Sequence, residues 1–416
     1  MESWLLDWQG ANGARRLVLR RSPSAQWGAS RALRLADEAA LVGAMHAAGV
    51  AAPQPLYVLR PDDALGEGYI MAHVGGSADP AQILAAPHGE LLGDVARELA
   101  IIHAVPTGQL PANLPVMDAA SGIAQLCASF DNFGADRPVI ALAIKWCADN
   151  RPPPVPPTLV HGDYRLGNIM VDGGRLSAVL DWELAHLGDY HEDLAYGCMT
   201  VWRFSAIDQP AFGLGTIDDL VAQYRAAGGR DVDPVRLRFW LIYRTLWWAI
   251  GCLQMGAYWR SGADSSIERA VISRRTAEQE LDLLLLLEED LSADLRDAAR
   301  IAMPVQPPTT TKGEVSSDEL LGAVADWLIG QVRAKAVGRE KFLAAVAVNA
   351  LHIARRETSG HAQFADAALA ADLLAGQQSL TNAALLADLR QRTLAKCQQD
   401  MPKYPALAIA TARWCA

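Results

Sequence analysis

The chain of 416 residues is long enough for two or three domains and for a sizeable hydrophobic core. Its hydrophobic fraction of 51% and charged fraction of 20% are typical of an ordered globular protein and exclude an intrinsically disordered chain. A formal net charge of −10 argues against a general nucleic-acid-binding protein, although it leaves room for a local basic pocket that binds an anion.

Cysteine usage and hydropathy indicate the cellular compartment of the protein and whether it has a membrane span. The six cysteines are scattered and form no C-x-x-C pair, which favours free thiols in a reducing cytoplasm over a disulfide framework or structural zinc. The start, MESWLLDWQG, lacks the basic stretch and long apolar run of a signal peptide. The most apolar segment, FWLIYRTLWWAIGCLQMGAYW, contains Arg244, so we expect a buried core helix and no membrane span.

The amino-terminal part is predicted to be rich in strands. SWLLDW and RRLVLRR flank the turn residues QGANGA and predict a β-hairpin. The next segment, RALRLADEAALVGAMHAAGV, has helical spacing with one apolar face, made of Leu35, Ala39, Val42 and Met45. PQPLYVLR and GYIMAHVGG predict two further strands on either side of the turn PDDALGEG.

From HGELLGDVARELAIIHAV onward the pattern is mostly helical, apart from a second hairpin over NIMVDGG and RLSAVLDW. A small β-rich part followed by a larger helical part predicts an α+β fold with two lobes, 1–75 and 76–301. AMPVQPPTTTKGEVSS, residues 302–317, reads as a linker. DELLGAVADWLIGQV and EKFLAAVAVNALHIARRE then predict a small all-α domain over 318–416.

Three polar residues with the chemistry of metal ligands lie in LVHGDYRLGNIMVDGGRLSAVLDWELAHLGDYHEDLAYG. Asp163 and Asn168 are five residues apart, and Asp181 follows the predicted hairpin. Phosphoryl transfer needs a carboxylate beside the acceptor hydroxyl, and oxygen ligands for the Mg²⁺ ions that bridge the nucleotide phosphates. Kinases carry D-x-x-x-x-N in the catalytic loop and a later aspartate after a short hairpin, and this stretch has the same order.

HGDYRLGNIMV, VLDWE and GDYHEDLAY resemble the signature of the aminoglycoside phosphotransferase family, over about residues 1–300. The resemblance implies a bilobal protein-kinase-like fold with a small β-rich amino-terminal nucleotide lobe and a large helical catalytic lobe. It implies ATP and Mg²⁺ as cofactors and a small-molecule hydroxyl as acceptor. The start resembles the strand after the family's Gly/Ser-rich phosphate loop, so the nucleotide lobe is expected to be truncated before that loop.

The resemblance also implies roles in the catalytic lobe. Asp163 would be the catalytic base that orients the acceptor hydroxyl, and Asn168 and Asp181 would hold Mg²⁺. His161 would brace the loop by hydrogen bonds. Arg165 takes the place where Ser/Thr kinases carry a lysine against the γ-phosphate, so it is expected to stabilise transition-state charge; a salt bridge to a nearby acid is the alternative.

Four further residues of this stretch are expected to be structural. Asp193, in a segment that matches the family's G-D-x-x-x-D-L-A, is expected to hold the catalytic loop through backbone N–H groups. Glu183 is expected to form an ion pair that supports the site, with a role as further metal ligand as the alternative. His186 and His191 are expected to be surface or hydrogen-bonded histidines, because no third soft ligand has a suitable spacing for a transition metal.

In the nucleotide lobe, the resemblance places Arg20 where family members carry the basic residue that pairs with the α- and β-phosphates. Glu38 would be its carboxylate partner, as in the Lys–Glu pair of kinases. The alternative for Arg20 is an exposed strand residue. The backbone of IMAHV, at Ala72, His73 and Val74, would meet the adenine.

Three segments, LVLRRSPS, YRTLWWAIGC and SRRTAEQELDLLLLL, resemble the branch of the family found fused or adjacent to acyl-CoA dehydrogenases. The branch implies a hydroxyacyl-CoA thioester as acceptor, a partner in an acyl-CoA dehydrogenase pathway, and a carboxyl-terminal helical domain of unknown function. Arg355, Arg356 and Lys403 are expected to form a solvated helix face, with a CoA phosphate contact as the alternative. A nucleotide-binding scaffold without catalysis, and an antibiotic kinase for aminoglycosides or macrolides, stay open.

Overall fold

The computed structural model describes residues 1–10, 13–22, 24, 31, 33–303, 315–358 and 364–416. These residues form two compact units, one of Met1–Ser121 with Pro152–Arg244 and one of Gly122–Arg151 with Thr245–Ala416. The division of the sequence into 1–75, 76–301, 302–317 and 318–416 stays a prediction, and most of its linker lies outside the described residues.

The strands lie in the first unit and confirm both predicted hairpins. They are β1 (Glu2–Gly10), β2 (Gly13–Arg21), β3 (Pro55–Val58), β4 (Gly68–Ala72), β5 (Thr158–Val160), β6 (Ile169–Asp172), β7 (Arg175–Val179) and β8 (His186–Gly188). The first four form an antiparallel sheet in the order β1-β2-β4-β3. Strand β5 pairs with β8, and β6 pairs with β7.

Helices make up most of the rest of the described chain, as predicted. They are α1 (Leu35–Ala47), α2 (Pro80–Ala85), α3 (Leu91–Ala104), α4 (Ala119–Phe133), α5 (Pro138–Asp149), α6 (His191–Tyr196), α7 (Ile217–Ala226), α8 (Pro234–Ser261), α9 (Ile267–Arg274), α10 (Thr276–Leu287), α11 (Ala293–Ala298), α12 (Ser317–Trp327), α13 (Gly338–Thr358), α14 (Ala367–Leu374), α15 (Ala383–Asp400) and α16 (Ala406–Trp414). The predicted tail helices are α12 and α13, and a π-helical turn, Leu328–Arg333, follows α12.

The amino-terminal sheet carries α1 on its apolar face. The predicted face of α1 is buried, and Leu35 and Ala39 share a core cluster with Tyr69 of β4. Glu38 lies on the same turn of the helix and is 1% exposed, because α1 packs against the sheet on this side. Strand pairing places Arg20 of β2 opposite Tyr69. The fold thereby brings an arginine and a carboxylate from different elements to one point.

The β6–β7 hairpin decides where the two predicted metal ligands lie. Its turn, DGG, has Gly173 at φ 57° and Gly174 at φ 78°, the left-handed region that glycine adopts without a steric penalty. Ile169 at the start of β6 pairs with Val179 at the end of β7. Asn168 therefore lies next to the residues that leave β7, and its carbonyl accepts a 2.8 Å hydrogen bond from the Leu180 N–H.

The second unit is helical in all its described elements and contains buried ion pairs. Arg390 of α15 is 1% exposed and donates to Glu288 at 2.8 Å from Nη2, and Trp414 donates to the same carboxylate. The six cysteines are free thiols, as predicted. The apolar segment predicted as a core helix lies within α8, and none of the helices in the described ranges is long and apolar enough to cross a membrane.

Candidate active site

The predicted catalytic loop connects β5 to β6. It turns sharply at Gly162, whose φ is +82° and where a Cβ would lie 2.5 Å from the Leu184 carbonyl oxygen, so only glycine fits. The Asp163 carboxylate accepts from Arg165 Nε at 3.0 Å and from Asn168 Nδ2 at 2.5 Å. The loop therefore brings Asp163, the expected base, into contact with Asn168, an expected metal ligand, and with Arg165, the expected charge stabiliser.

His161 connects the loop to the segment that carries Asp181. Its Nδ1 accepts a 3.2 Å hydrogen bond from the Asp163 N–H, and its Nε2 lies 3.0 Å from the Leu180 carbonyl oxygen. An accepting Nδ1 and a carbonyl partner at Nε2 define a neutral imidazole with its proton on Nε2. Complete burial lowers the pKa of His161, although nearby carboxylates oppose the shift, and this favours the neutral ring.

Asp193 is a buried acceptor for the backbone of the catalytic loop. Its Oδ2 accepts from the His161 N–H at 2.7 Å, and its Oδ1 accepts from the Gly162 N–H at 2.9 Å. His103 Nε2 lies 3.2 Å from Oδ2. Burial alone would raise the pKa of Asp193, but the hydrogen bond and charge of His103, with those of the loop, hold the pKa below its usual value. The contacts are those of a residue that holds the loop.

Asp181 has a strained backbone. Its φ of 66° and ψ of 66° lie in the left-handed region, which non-glycine residues rarely adopt. Such a conformation costs on the order of 1–3 kcal/mol and persists where the surrounding structure enforces it, often at functional sites. Asp181, the second residue after β7, lines the same cavity as Asn168.

Arg20 connects the two predicted groups of the site. Its Nε lies 2.8 Å from Glu38 Oε1, and its Nη2 donates to Asp181 Oδ1 at 2.6 Å. Tyr69 also donates to Glu38 Oε1, at 3.0 Å. Burial alone would lower the pKa of Arg20, but the charges of Glu38 and Asp181 outweigh burial and raise the pKa. Arg20 is largely buried, which does not agree with the alternative of an exposed strand residue.

A second arginine, Arg31, completes this network and was not predicted. It donates to Glu38 Oε2 at 2.6 Å and to Glu183 Oε2 at 2.9 Å. Glu183 also lies 3.4 Å from Arg20 Nη2. Burial raises the pKa of Glu38, and the two arginines oppose that shift. Glu183 thus forms ion pairs with Arg20 and Arg31, and its role in supporting the site stays a prediction.

A cavity of about 350 Å³ joins the nucleotide-lobe and catalytic-loop residues. Its lining combines a polar side with apolar walls and comprises Ser3, Val18, Arg20, Val42, Pro53, Tyr69, Met71, Ala72, His73, Val74, Gly167, Asn168, Met170, Val179, Leu180, Asp181 and Trp182. The predicted adenine-contacting residues and predicted metal ligands therefore line one space. A larger cavity of about 630 Å³, beside the turn that follows β3, contains none of the predicted site residues.

The donor set of this cavity fits a hard cation such as Mg²⁺. Asn168 Nδ2 is used by the Asp163 backbone carbonyl and carboxylate, so the amide oxygen is the atom left for a cation. Asp181 supplies a carboxylate from the other side of the hairpin, although its Oδ1 is paired with Arg20. Mg²⁺ is usually held by one or two carboxylates together with substrate phosphates. In the described ranges, no cluster of three or more His, Cys, Asp or Glu side chains could hold a metal.

The histidines beside these acids have hydrogen-bond partners. His186 Nε2 lies 3.1 Å from Glu192 Oε2, and His191 Nδ1 lies 2.7 Å from Asp189 Oδ1. Burial alone would lower the pKa of His186, but the charge and hydrogen bond of Glu192 raise it. Both side chains act as hydrogen-bonding residues in the core of the first unit.

Three residues around the catalytic loop were missed as site residues. Arg244 donates to Glu192 at 3.0 Å and to the Gly162 carbonyl at 2.5 Å, and its Cζ lies 4.4 Å from the ring centroid of Tyr196. Burial, and then the charge of Asp163, raise the pKa of Tyr196. The ring of Trp202 lies 4.4 Å from Arg165 Cζ. One signal was available, since Arg244 is the one charged residue of the apolar stretch 239–259 within α8, and a buried charge requires a partner.

The basic residues of the tail mostly have partners within the second unit. Arg355 Nη2 donates to Asp318 at 3.1 Å, and Arg356 donates to the Gln399 backbone carbonyl. Lys403 is exposed. The expectation of one solvated helix face is therefore wrong in part, because Arg355 and Arg356 are half-buried with partners and Lys403 lies in a turn between α15 and α16.

Known proteins with a similar sequence fall into two groups. Acyl-CoA dehydrogenase family member 11 of Gallus gallus is 30% identical over 171 residues, which are 36% of this chain and 21% of that protein. Acyl-CoA dehydrogenase family member 10 of Mus musculus is 29% identical over 136 residues, 30% of this chain and 12% of that protein. A Lactococcus lactis protein assigned as an aminoglycoside 3'-phosphotransferase is 37% identical over 82 residues, 20% of this chain and 28% of that protein. The matches therefore span only a small part of each relative.

A solved structure supports the fold. A Ralstonia eutropha protein assigned as an aminoglycoside phosphotransferase superposes with a TM-score of 0.53 at 20% identity, and the match covers 69% of this chain and 93% of that protein. The predicted kinase-like α+β fold is thus confirmed. The family described as the phosphotransferase enzyme family matches residues 5–240, which include β2, the catalytic loop and the β6–β7 hairpin. The chain therefore belongs to the phosphotransferase enzyme family.

Proposed function

We propose that the protein transfers the γ-phosphoryl group of ATP, with Mg²⁺, to the hydroxyl of a hydroxyacyl-CoA thioester. The observation that carries the proposal is the shared lining of one cavity by Arg20, Asn168, Asp181 and the Ala72–Val74 backbone, with Asp163 hydrogen-bonded to Asn168. Phosphoryl transfer depends on such positioning and charge neutralisation more than on covalent chemistry.

Each residue has a role that its surroundings support. Ala72, His73 and Val74 meet the adenine with their backbone. Arg20 contacts the α- and β-phosphates while Glu38 holds its Nε, 2.8 Å away. Asn168 and Asp181 would hold Mg²⁺, which would supply neutralisation of the charge on the nucleotide phosphates. Arg20 also holds Asp181, whose Oδ1 accepts from Arg20 Nη2 at 2.6 Å.

In the transfer step, Asp163 acts on the acceptor hydroxyl. The Asp163 carboxylate orients the acceptor hydroxyl and takes its proton as the oxygen attacks the γ-phosphorus. A bond forms between the acceptor oxygen and phosphorus, and the bond from phosphorus to the bridging oxygen breaks and releases ADP. Arg165, whose Nε donates to Asp163 at 3.0 Å, supplies positive charge beside the base and stabilises the charge on the transferring group. The proton leaves Asp163 for solvent when the product departs.

The acceptor class is supported by the names of two relatives. The proteins of Gallus gallus and Mus musculus that match this chain are named acyl-CoA dehydrogenase family members. A kinase that is related to part of such proteins would act on the same class of metabolite if it phosphorylated the hydroxyl of a hydroxyacyl-CoA. Phosphorylation turns the hydroxyl into a leaving group, so the product would suit an elimination that yields an unsaturated acyl-CoA. An enzyme of acyl-CoA dehydrogenase metabolism would then be its pathway partner.

The test is an ATP-consumption assay of the whole chain with a panel of hydroxyacyl-CoA thioesters. We expect turnover with at least one thioester, and a drop in kcat of about 10²-fold or more in Asp163→Asn because the general base is lost. The asparagine keeps the size of the side chain, so the variant also controls for folding.

Parallel assays with the free hydroxy acids show whether the CoA part of the acceptor is needed for turnover. Assays with aminoglycosides and macrolides test a different class of acceptor. Turnover confined to the antibiotics would replace the hydroxyacyl-CoA proposal with an antibiotic kinase. Binding of Mg·ATP by calorimetry without turnover of any acceptor would favour a nucleotide-binding scaffold.

A further inference from the structure

The Arg165 guanidinium has two close neighbours besides Asp163. Its Cζ lies 4.4 Å from the ring centroid of Trp202, a cation–π distance. Its second neighbour is the bare Cα of Gly167, where an added Cβ would overlap Arg165 Nη1 and lie 3.3 Å from Cζ. The backbone of Gly167 does not have a positive φ, so its conformation does not require glycine. Glycine matters here because it has no side chain to collide with the Arg165 guanidinium.

Trp202 is itself held in place. It ends a short 3₁₀ turn, Thr200–Trp202, is 6% exposed, and has the ring of Tyr196 at 5.9 Å. The next residue, Arg203, donates to the Cys198 carbonyl at 3.0 Å and to the Ile207 carbonyl at 3.4 Å, which ties the loop to itself.

The backbone of this loop is also unusual. Phe204 has φ +52°, in the left-handed region, and its ring lies 6.5 Å from that of Trp202. Strain of this kind persists only where the surrounding structure determines the conformation. The loop therefore presents the indole to the catalytic loop in a defined place.

We propose that Trp202 and Gly167 form a slot that positions the Arg165 guanidinium beside Asp163 for phosphoryl transfer. The proposed function assigns Arg165 to the transferring group, and Trp202 is a positioning residue that acts through Arg165. The inference rests on the proposed function, since it assigns a purpose to the position of Arg165. A long arginine side chain loses rotamer freedom when it is fixed, and a partly exposed ion pair offsets little of that loss. The slot supplies the further contacts that hold the side chain.

Steady-state kinetics with Mg·ATP test the slot. Trp202→Leu removes the ring, and Gly167→Ala keeps Trp202 but places a methyl group where the guanidinium lies. We expect each to lower kcat about tenfold with the KM for Mg·ATP changed less than twofold, and Trp202→Phe to restore most of kcat. Trp259→Leu, at an exposed tryptophan, is the matched control and should keep the wild-type kcat.

A double-variant comparison separates positioning from general packing. Arg165→Ala alone should lower kcat by at least as much as Trp202→Leu, and combining the two should lower kcat no further, because the ring acts only through the arginine. If the double variant shows the product of the two separate losses, or if Gly167→Ala keeps the wild-type kcat, the positioning role is refuted.

A spectroscopic measurement makes the slot testable without turnover. The Nε–H resonance of Arg165, assigned through Arg165→Lys, should be displaced by the Trp202 ring current, and the displacement should disappear in Trp202→Leu. An unchanged resonance in Trp202→Leu would refute the slot even if the enzyme is active. A ring-shifted resonance in a wild-type protein that phosphorylates no acceptor would support the slot and refute the proposed function, so the two failures are distinguishable.

Discussion

Asp189 illustrates how a residue of the acidic segment GDYHEDLAY can be structural. It is 5% exposed, and its Oδ2 accepts from Arg236 Nη1 at 2.7 Å and from Trp240 Nε1 at 2.9 Å. Its Oδ1 accepts from His191 Nδ1 at 2.7 Å. Burial alone would raise the pKa of Asp189, but these hydrogen bonds, that of His191 first, lower the pKa to about 2. The carboxylate is held as an anion that joins three elements.

The depressed pKa of Asp189 predicts a pH dependence of stability. A carboxyl group whose pKa is lower in the folded state stabilises the fold above its unfolded pKa of about 3.9, and this contribution is lost as the pH falls through the folded value. With a folded pKa of about 2, the contribution is on the order of 2 kcal/mol.

Urea unfolding of wild type and Asp189→Asn, from pH 6 downward, measures this contribution. The difference in the free energy of unfolding between the two proteins should be constant near neutral pH and shrink as the pH falls from about 4 toward 2. Curves that stay parallel down to pH 2 would show that Asp189 does not carry a depressed pKa.

At the scale of elements, α8 fastens the catalytic loop to the segment that follows β8. Arg236, Trp240 and Arg244 are spaced by four residues and therefore lie on one face of the helix. The first two donate to Asp189, and Arg244 donates to Glu192 and to the Gly162 carbonyl. One face of α8 thus binds two acids, Asp189 and Glu192, and the Gly162 turn beside the expected base Asp163.

Removing Arg244 should be severe because the fully buried Glu192 would lose its arginine and keep, among the described side chains, only the contact with His186. Arg244→Leu is expected to lower the free energy of unfolding by about 3–5 kcal/mol. Urea unfolding at pH 7 measures the change. Arg260→Leu, an exposed arginine in the same helix, is the matched control and should change the free energy by less than about 0.5 kcal/mol. Equal effects of the two substitutions would contradict a special role of the buried pair.

At the scale of the whole molecule, the proposed cofactors should stabilise the protein by mass action. With Mg·ATP at 100 times its Kd, the expected gain is about 2.7 kcal/mol, or a rise in Tm of roughly 5–10 °C. Asp181→Asn should lose most of the rise because a carboxylate ligand of the cation is missing. Differential scanning calorimetry with ATP plus Mg²⁺, and with ATP plus EDTA, provides the comparison. An equal rise in wild type and variant would argue against Asp181 as a metal ligand.

The sequence by itself determined the local architecture around the chemistry. The D-x-x-x-x-N spacing, the DGG turn and the apolar β6 and β7 runs specify a hairpin, and a hairpin of that length must bring Asn168 next to the residues that follow Val179. The apolar face of α1 similarly predicted its burial and, with the resemblance to kinases, the pairing of Glu38 with Arg20. These features depend on short-range periodicity and turn chemistry, which a sequence shows directly.

Only the tertiary structure decided which distant side chains complete the site. Arg31 meets Glu183 across 152 residues, Arg244 meets Glu192 across 52, and Trp202 meets Arg165 although no spacing rule connects them. Arg244, the one charge in the apolar stretch 239–259 of α8, indicated that a buried partner exists, but it did not identify that partner. Such pairings depend on how loops and helices are brought together by the core, and local sequence patterns carry no information about that packing.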